Sequence, residues 1–112
     1  MAKLYFRYGA MGSSKTANAI MVRHNCIERG QNVLMLKPRL DNRDGATTIK
    51  SRCGLSCECA FMEDVNNYNV KDFDCVIVDE AQFLTRAQVE KLVQIVDEEN
   101  VPVIAYGLRA DF

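Results

Sequence analysis

The sequence has no apolar run near the roughly 20 residues needed to cross a bilayer. No membrane span is therefore expected. It also lacks the charged, apolar and small-residue segments of a secretory leader, because Met1-Ala2-Lys3-Leu4-Tyr5-Phe6 runs straight into a strand. Cytoplasm is the expected compartment. There is no excess of positive charge: 14 Lys and Arg face 15 Asp and Glu, for a net charge of −1. A general nucleic-acid binder needs a basic stripe to neutralise phosphates, so nucleic acid is not an expected partner. A nucleotide site survives that exclusion, since one Lys and a loop of backbone N–H groups suffice for it. No C-x-x-C pair occurs, and His24 is the sole histidine. A structural zinc site usually draws on paired Cys or Cys/His units. Cys26, Cys53, Cys57, Cys59 and Cys75 are therefore read as small semi-buried side chains, and no zinc ligand is assigned among them. Their odd number, without a disulfide framework, suits a reducing compartment.

What is present is an ordinary globular balance, 48% apolar and 26% charged, in 112 residues. That is one domain, 1–112, with a modest stability margin. Lys3 to Tyr8 reads as a strand. Lys15 to Arg29 reads as a helix with Ala17, Ile20, Met21, His24 and Ile27 on one face and Gly30 as its stop. Asn32 to Leu36 is a short buried strand. Residues 37–56 are polar and turn-rich, with room for a weak strand, and 57–73 are ambiguous. Asp74 to Val78 is the clearest buried strand. Thr85 to Glu99 is an amphipathic helix: Thr85 and Gln88 form a capping box, and Val89, Leu92, Val93 and Val96 form the apolar stripe. Val101 to Tyr106 is a last strand. Strands alternating with helices imply an α/β fold with a mainly parallel sheet, whose ligands bind beyond the carboxyl ends of the strands.

The loops at that edge carry the chemistry. Gly9-Ala10-Met11-Gly12-Ser13-Ser14-Lys15-Thr16 nearly matches the phosphate-binding pattern G-x-x-x-x-G-K-[ST], between a predicted strand and a predicted helix. Its N–H groups would wrap phosphates at the helix N-terminus. Lys15 would reach the β- and γ-phosphates of a nucleotide, and the Thr16 hydroxyl would ligate Mg²⁺. Ser14 stands where the pattern has glycine, a handicap if that position requires positive φ. Val76-Ile77-Val78-Asp79-Glu80 ends a buried strand in carboxylates, and Asp79 would hold the metal. In Lys37-Pro38-Arg39-Leu40-Asp41-Asn42-Arg43, Arg43 could stabilise phosphate charge and Asp41 could join the metal shell. A solvated charged loop is an equal reading. Tyr106-Gly107-Leu108-Arg109-Ala110-Asp111-Phe112 could line a base pocket or merely pack.

Together these segments resemble the thymidine kinase family that includes the cytosolic animal enzyme and most bacterial ones. The resemblance rests on Tyr8-Gly9-Ala10-Met11 leading to Lys15-Thr16, on Lys37-Pro38 through Asp41-x-Arg43, on Asp79-Glu80-Ala81-Gln82-Phe83, and on Tyr106-Gly107-Leu108-Arg109 through Asp111-Phe112. It implies a three-layer, RecA-like P-loop NTPase core that transfers the γ-phosphate of ATP, with Mg²⁺, to the 5′-hydroxyl of thymidine. Deoxyuridine is a second candidate substrate. It casts Glu80 as general base and adds Ala81 and Gln82 to the nucleotide-binding set. Met11, Phe83, Leu108 and Phe112 would surround the base. The family is typically a homotetramer and continues past the position of Phe112 into a last strand, a four-ligand zinc lobe and a loop that holds the base. Zinc is thus expected only in that later lobe, and the chain alone is expected to bind ATP·Mg²⁺ but transfer phosphate weakly or not at all. Competing readings are an ATP-binding P-loop module without kinase activity, and a P-loop ATPase akin to helicase motors.

Overall fold

The computed structural model describes residues 2–9, 12–39, 48–50 and 54–108, and of residues 8, 9, 12–15, 50 and 108 the backbone alone. Strands β1 (Leu4–Gly9), β2 (Val33–Lys37), β5 (Ala60–Phe61), β6 (Cys75–Val78) and β7 (Val103–Leu108) form a five-stranded sheet in the order β1-β7-β6-β2-β5. Every pairing in it is parallel. Helix α1 (Gly12–Glu28) connects β1 to β2, and α2 (Arg86–Gln94) lies between β6 and β7. The short strands β3 (Thr48–Lys50) and β4 (Ser56–Glu58) make a separate antiparallel pair.

Alternation along the strands sorts the core into two halves. Met35, Cys75, Ile77 and Tyr106 pack with Ala19 and Ile20 of α1. Leu34, Leu36, Val76, Val78, Val103 and Ala105 pack with Leu92, Ile95 and Val96 and with the 3-10 segment that holds Met62 and Val65. Since successive side chains of a strand point to opposite faces, a strand buried on both sides is apolar throughout. β6 fits that rule, with all four residues of Cys75–Val78 buried. The expected α/β architecture with helical layers on either side of a parallel sheet is therefore present.

Two local expectations are corrected, and one ambiguous stretch is resolved. The buried face of α1 carries Ala19, Ile20 and Cys26, while Met21 and Ile27 are 47% and 43% exposed. His24 is exposed and sits 3.0 Å from Glu28 on the solvent side. A small alanine lets the helix approach the sheet closely, so packing favours its face over the longer side chains of the other stripe. The helix predicted over 85–99 is an α-helix to Gln94 followed by a π turn over Ile95–Glu99. The wider turn buries Ile95 together with Val96 and leaves Val93 42% exposed. Residues 57–73 resolve into the end of β4, β5 and two 3-10 segments, Met62–Asn67 and Val70–Asp72, and those two segments cover the α2 face.

The predicted signals at the helix ends are present. Thr85 and Gln88 exchange the two bonds of a capping box. Gly30 adopts φ 81°, and the Gln31 N–H donates to the Cys26 carbonyl at 3.1 Å, which closes α1.

Candidate active site at the carboxyl edge of the sheet

In a parallel sheet all carboxyl ends share one edge. Here the register aligns Gly9 with Leu108, Val78 with Ala105 and Leu36 with Val78, so the segments after β1, β2, β6 and β7 converge. α1 begins at Gly12, three positions before the predicted start at Lys15. Gly12, Ser13, Ser14 and Lys15 thus form its first turn, where N–H groups have no partner within the helix and the dipole is positive. Ser14 lies inside a right-handed helix, so the substitution of the pattern's glycine carries no backbone penalty.

Thr16 follows on α1. Its hydroxyl donates to the Asp79 carboxylate, at 3.1 Å from Oδ2 and 3.4 Å from Oδ1. Asp79 directly follows β6, and its N–H donates to the Leu36 carbonyl at 2.9 Å, which extends the ladder by one residue and fixes the side chain at the edge. Asp79 is 4% exposed and is the one buried charged residue among those described. Burial pushes its pKa above the ordinary value of 3.8. The Thr16 hydroxyl and the Glu80 N–H pull it down, the Glu80 carboxylate pushes it up, and the Lys37 ammonium pulls it down. A hydroxyl and a desolvated carboxylate in contact are hard oxygen donors of the kind that hold Mg²⁺, and a cation there would neutralise the buried charge.

Glu80 adopts a left-handed conformation, φ 57° and ψ 39°, which turns the chain from β6 into a 3-10 turn over Ala81–Phe83. Few residues other than glycine adopt this conformation, and those that do cluster at functional sites. The Gln82 amide donates to Glu80 Oε1 at 3.2 Å. The turn is seated on Gly107 of β7: a Cβ there would lie 2.8 Å from Gln82 Oε1 and 3.0 Å from the Gln82 nitrogen. Phe83 stands 50% exposed at the end of the turn.

The segment after β2 is tied down rather than left as free cations. Lys37 donates to the Thr48 carbonyl at 2.8 Å. Arg39 lies 4.5 Å from the centre of the Phe61 ring and pairs with Asp64 at 3.3 Å. Across the sheet, the Tyr106 hydroxyl donates to Asn18 Oδ1 at 3.2 Å, linking α1 to β7.

The fold thus brings Thr16, Asp79, Glu80, Ala81 and Gln82 together, with Gly9 and Leu108 paired at the adjoining strand ends. Ala10, Met11, Asp41, Arg43 and Phe112 lie outside the described residues. Cys57 and Cys59 are half-buried, Cys26 and Cys75 buried. Burial pushes the Cys59 and Cys75 thiols up to about 11, which keeps them protonated. Among the described residues, no three His, Cys, Asp or Glu side chains group as a metal site would require. No helix among them is long and apolar enough to cross a membrane. Sequence reasoning missed the seat at Gly107. A glycine inside a strand is itself a sign of close approach by another backbone, and that was the available signal.

The sequence model of the thymidine kinase family matches residues 2–112. The chain belongs to the thymidine kinase family. The resemblance read from the motifs is therefore correct. Among curated thymidine kinases, that of Enterobacteria phage T4 is 46% identical over 120 aligned positions, covering 100% of this chain and 62% of that protein. The thymidine kinase of Xanthomonas oryzae pv. oryzae (strain MAFF 311018) is 45% identical, with 100% and 58% covered. That of Francisella tularensis subsp. tularensis is 43% identical, with 100% and 61% covered. The chain thus spans roughly three fifths of the length of these thymidine kinases.

Proposed function

We propose that this chain forms the nucleotide-binding and catalytic core of an enzyme that phosphorylates thymidine, with ATP as donor and Mg²⁺ as the metal. The observation that carries the reading is the contact of Thr16 with buried Asp79 beside a helix N-terminus at the carboxyl edge of a parallel sheet. A phosphate loop and a metal-holding acid on the neighbouring strand are the paired requirements of P-loop phosphoryl transfer. In this reading the N–H groups of Gly9 to Thr16 and the Lys15 ammonium bind the phosphates, with Arg43, Ala81 and Gln82 adding to that side. Thr16, Asp79 and Asp41 hold Mg²⁺, which when bound neutralises charge on the phosphate oxygens. Met11, Phe83, Leu108 and Phe112 surround the base. Glu80 orients the 5′-hydroxyl and takes its proton late, as the loose transition state requires little prior deprotonation. Deoxyuridine is a second substrate to test, a homotetramer is the proposed assembly, and the cytoplasm is the proposed compartment.

The test is transfer of labelled γ-phosphate to thymidine by the chain extended with the C-terminal segment of its family, and by Glu80→Gln in that same form. Loss of a general base should lower kcat about 10²–10⁴-fold, with ATP and thymidine affinity retained. Wild-type kcat in Glu80→Gln would remove Glu80 as base. ATP binding with no transfer to any nucleoside would leave the core as a nucleotide-binding module.

A further inference from the structure

Glu80 is held by more than its own backbone. Its left-handed φ of 57° places a non-glycine residue in a sparsely populated region, which persists only where surrounding structure enforces it. Two contacts accompany it here. The Gln82 amide donates to Glu80 Oε1 at 3.2 Å. The Gln82 side chain and backbone rest on the bare Cα of Gly107, where an added Cβ would stand 2.8 Å from Gln82 Oε1, 3.0 Å from the Gln82 nitrogen and 3.3 Å from the Ala81 nitrogen. One end of the amide is thus confined by β7 while the other is bonded to the carboxylate. Gly107 lies two residues beyond Ala105, which pairs with Val78, so the seat and Asp79 share one edge of the sheet.

We infer that Gln82, seated on Gly107, is the positioning residue that fixes the Glu80 carboxylate for the transfer step. The inference rests on the assignment of Glu80 as general base. The bond of amide to carboxylate stops the carboxylate from rotating about its own side-chain torsions. Gly107 has no Cβ because any larger residue would displace the amide. Gly107→Ala would push the Gln82 side chain away from β7 and press on the turn backbone as well, at the Gln82 and Ala81 nitrogens. That movement breaks the bond to Glu80 while leaving the sheet intact. A misplaced catalytic group can lower a rate by up to about 10²-fold without touching binding.

The deciding variants are Gln82→Met, which keeps length and loses the donor, and Gly107→Ala. Each should lower kcat for thymidine phosphorylation about 10-fold or more. In a Glu80→Gln background Gln82→Met should add no further loss, because its effect runs through the carboxylate. An equal loss in both backgrounds would overturn the proposal and make Gln82 an independent contributor. An unchanged kcat in Gln82→Met, with Glu80→Gln still impaired, would overturn it while leaving Glu80 as the base. Unchanged kcat in Glu80→Gln would instead reject the base assignment on which it rests. A second readout needs no turnover: in the nuclear magnetic resonance spectrum, Glu80→Ala and Gly107→Ala should each move the Gln82 side-chain amide signals. Signals that stay in place in both variants would refute the contact itself.

Discussion

Asp79→Asn should make the ligand-free protein more stable at pH 7 and less responsive to nucleotide. Asp79 is 4% exposed, and burial is the leading cause of its raised pKa. Against that desolvation stand a hydroxyl bond of 3.1 Å from Thr16 and the Glu80 N–H. A poorly compensated buried polar group costs about 1–3 kcal/mol, and a charged one more. The amide keeps an oxygen for Thr16 but gives up the Glu80 N–H, so the net gain is placed at about 1 kcal/mol. For a domain of this size that is roughly 4 °C in Tm. The pH dependence follows from linkage. A carboxyl whose folded pKa is raised is bound to its proton in the folded state when the unfolded chain has already released it. Its contribution to stability is therefore fully present below the unfolded value near pH 4 and is lost as pH rises through the raised folded value. The advantage of Asn should accordingly vanish below about pH 4. Saturating Mg²⁺ and ATP, at about 100 times Kd, should stabilise the wild type by about 2.7 kcal/mol and the variant by clearly less, since on the proposed assignment the metal would lose its charged partner. Thermal melts at neutral and acid pH, with and without Mg²⁺·ATP, read all of this. A variant that melts below wild type at pH 7 without ligand would refute the reasoning. So would an advantage that persists unchanged into acid.

If Lys15 binds the phosphates as proposed, Lys15→Ala should weaken ATP binding and abolish phosphate transfer, because the ammonium would meet charge that grows in the transition state. Calorimetric titration and labelled-phosphate transfer check this, and equal affinity with equal turnover would sink the phosphate-loop assignment. Thr85→Ala should destabilise the fold by about 1 kcal/mol through loss of the capping box of α2. Its kcat should be unaffected, and chemical denaturation gives the first quantity. Leu92→Ala, at a site with 0% exposure in the α2-side core, should cost about 2–5 kcal/mol, measured the same way.

Much of this protein is determined locally and is therefore legible in the chain itself. The parallel sheet could be read because strands buried on both faces must be apolar throughout, as Cys75–Val78 and Val33–Lys37 nearly are. The ends of the helices were legible because Gly30 and the Thr85–Gln88 pair satisfy orphan backbone groups with fixed local chemistry. The pairing of Thr16 with Asp79 followed from topology: carboxyl ends of parallel strands meet, so two motifs far apart in the chain arrive at one edge. Tertiary structure decided what depends on the fit between distant surfaces. The face predicted for α1 ran through Ala17, Ile20, Met21, His24 and Ile27, and close packing against Met35, Ile77 and Tyr106 turned the helix so that Ala19 and Ile20 face the sheet. Nothing local signals the π turn at Ile95–Glu99, which lets both Ile95 and Val96 reach the core. The left-handed Glu80 and its seat through Gln82 on Gly107 join residues from two strands, so only the assembled sheet could show that a missing Cβ on β7 makes room for the turn that carries the carboxylate.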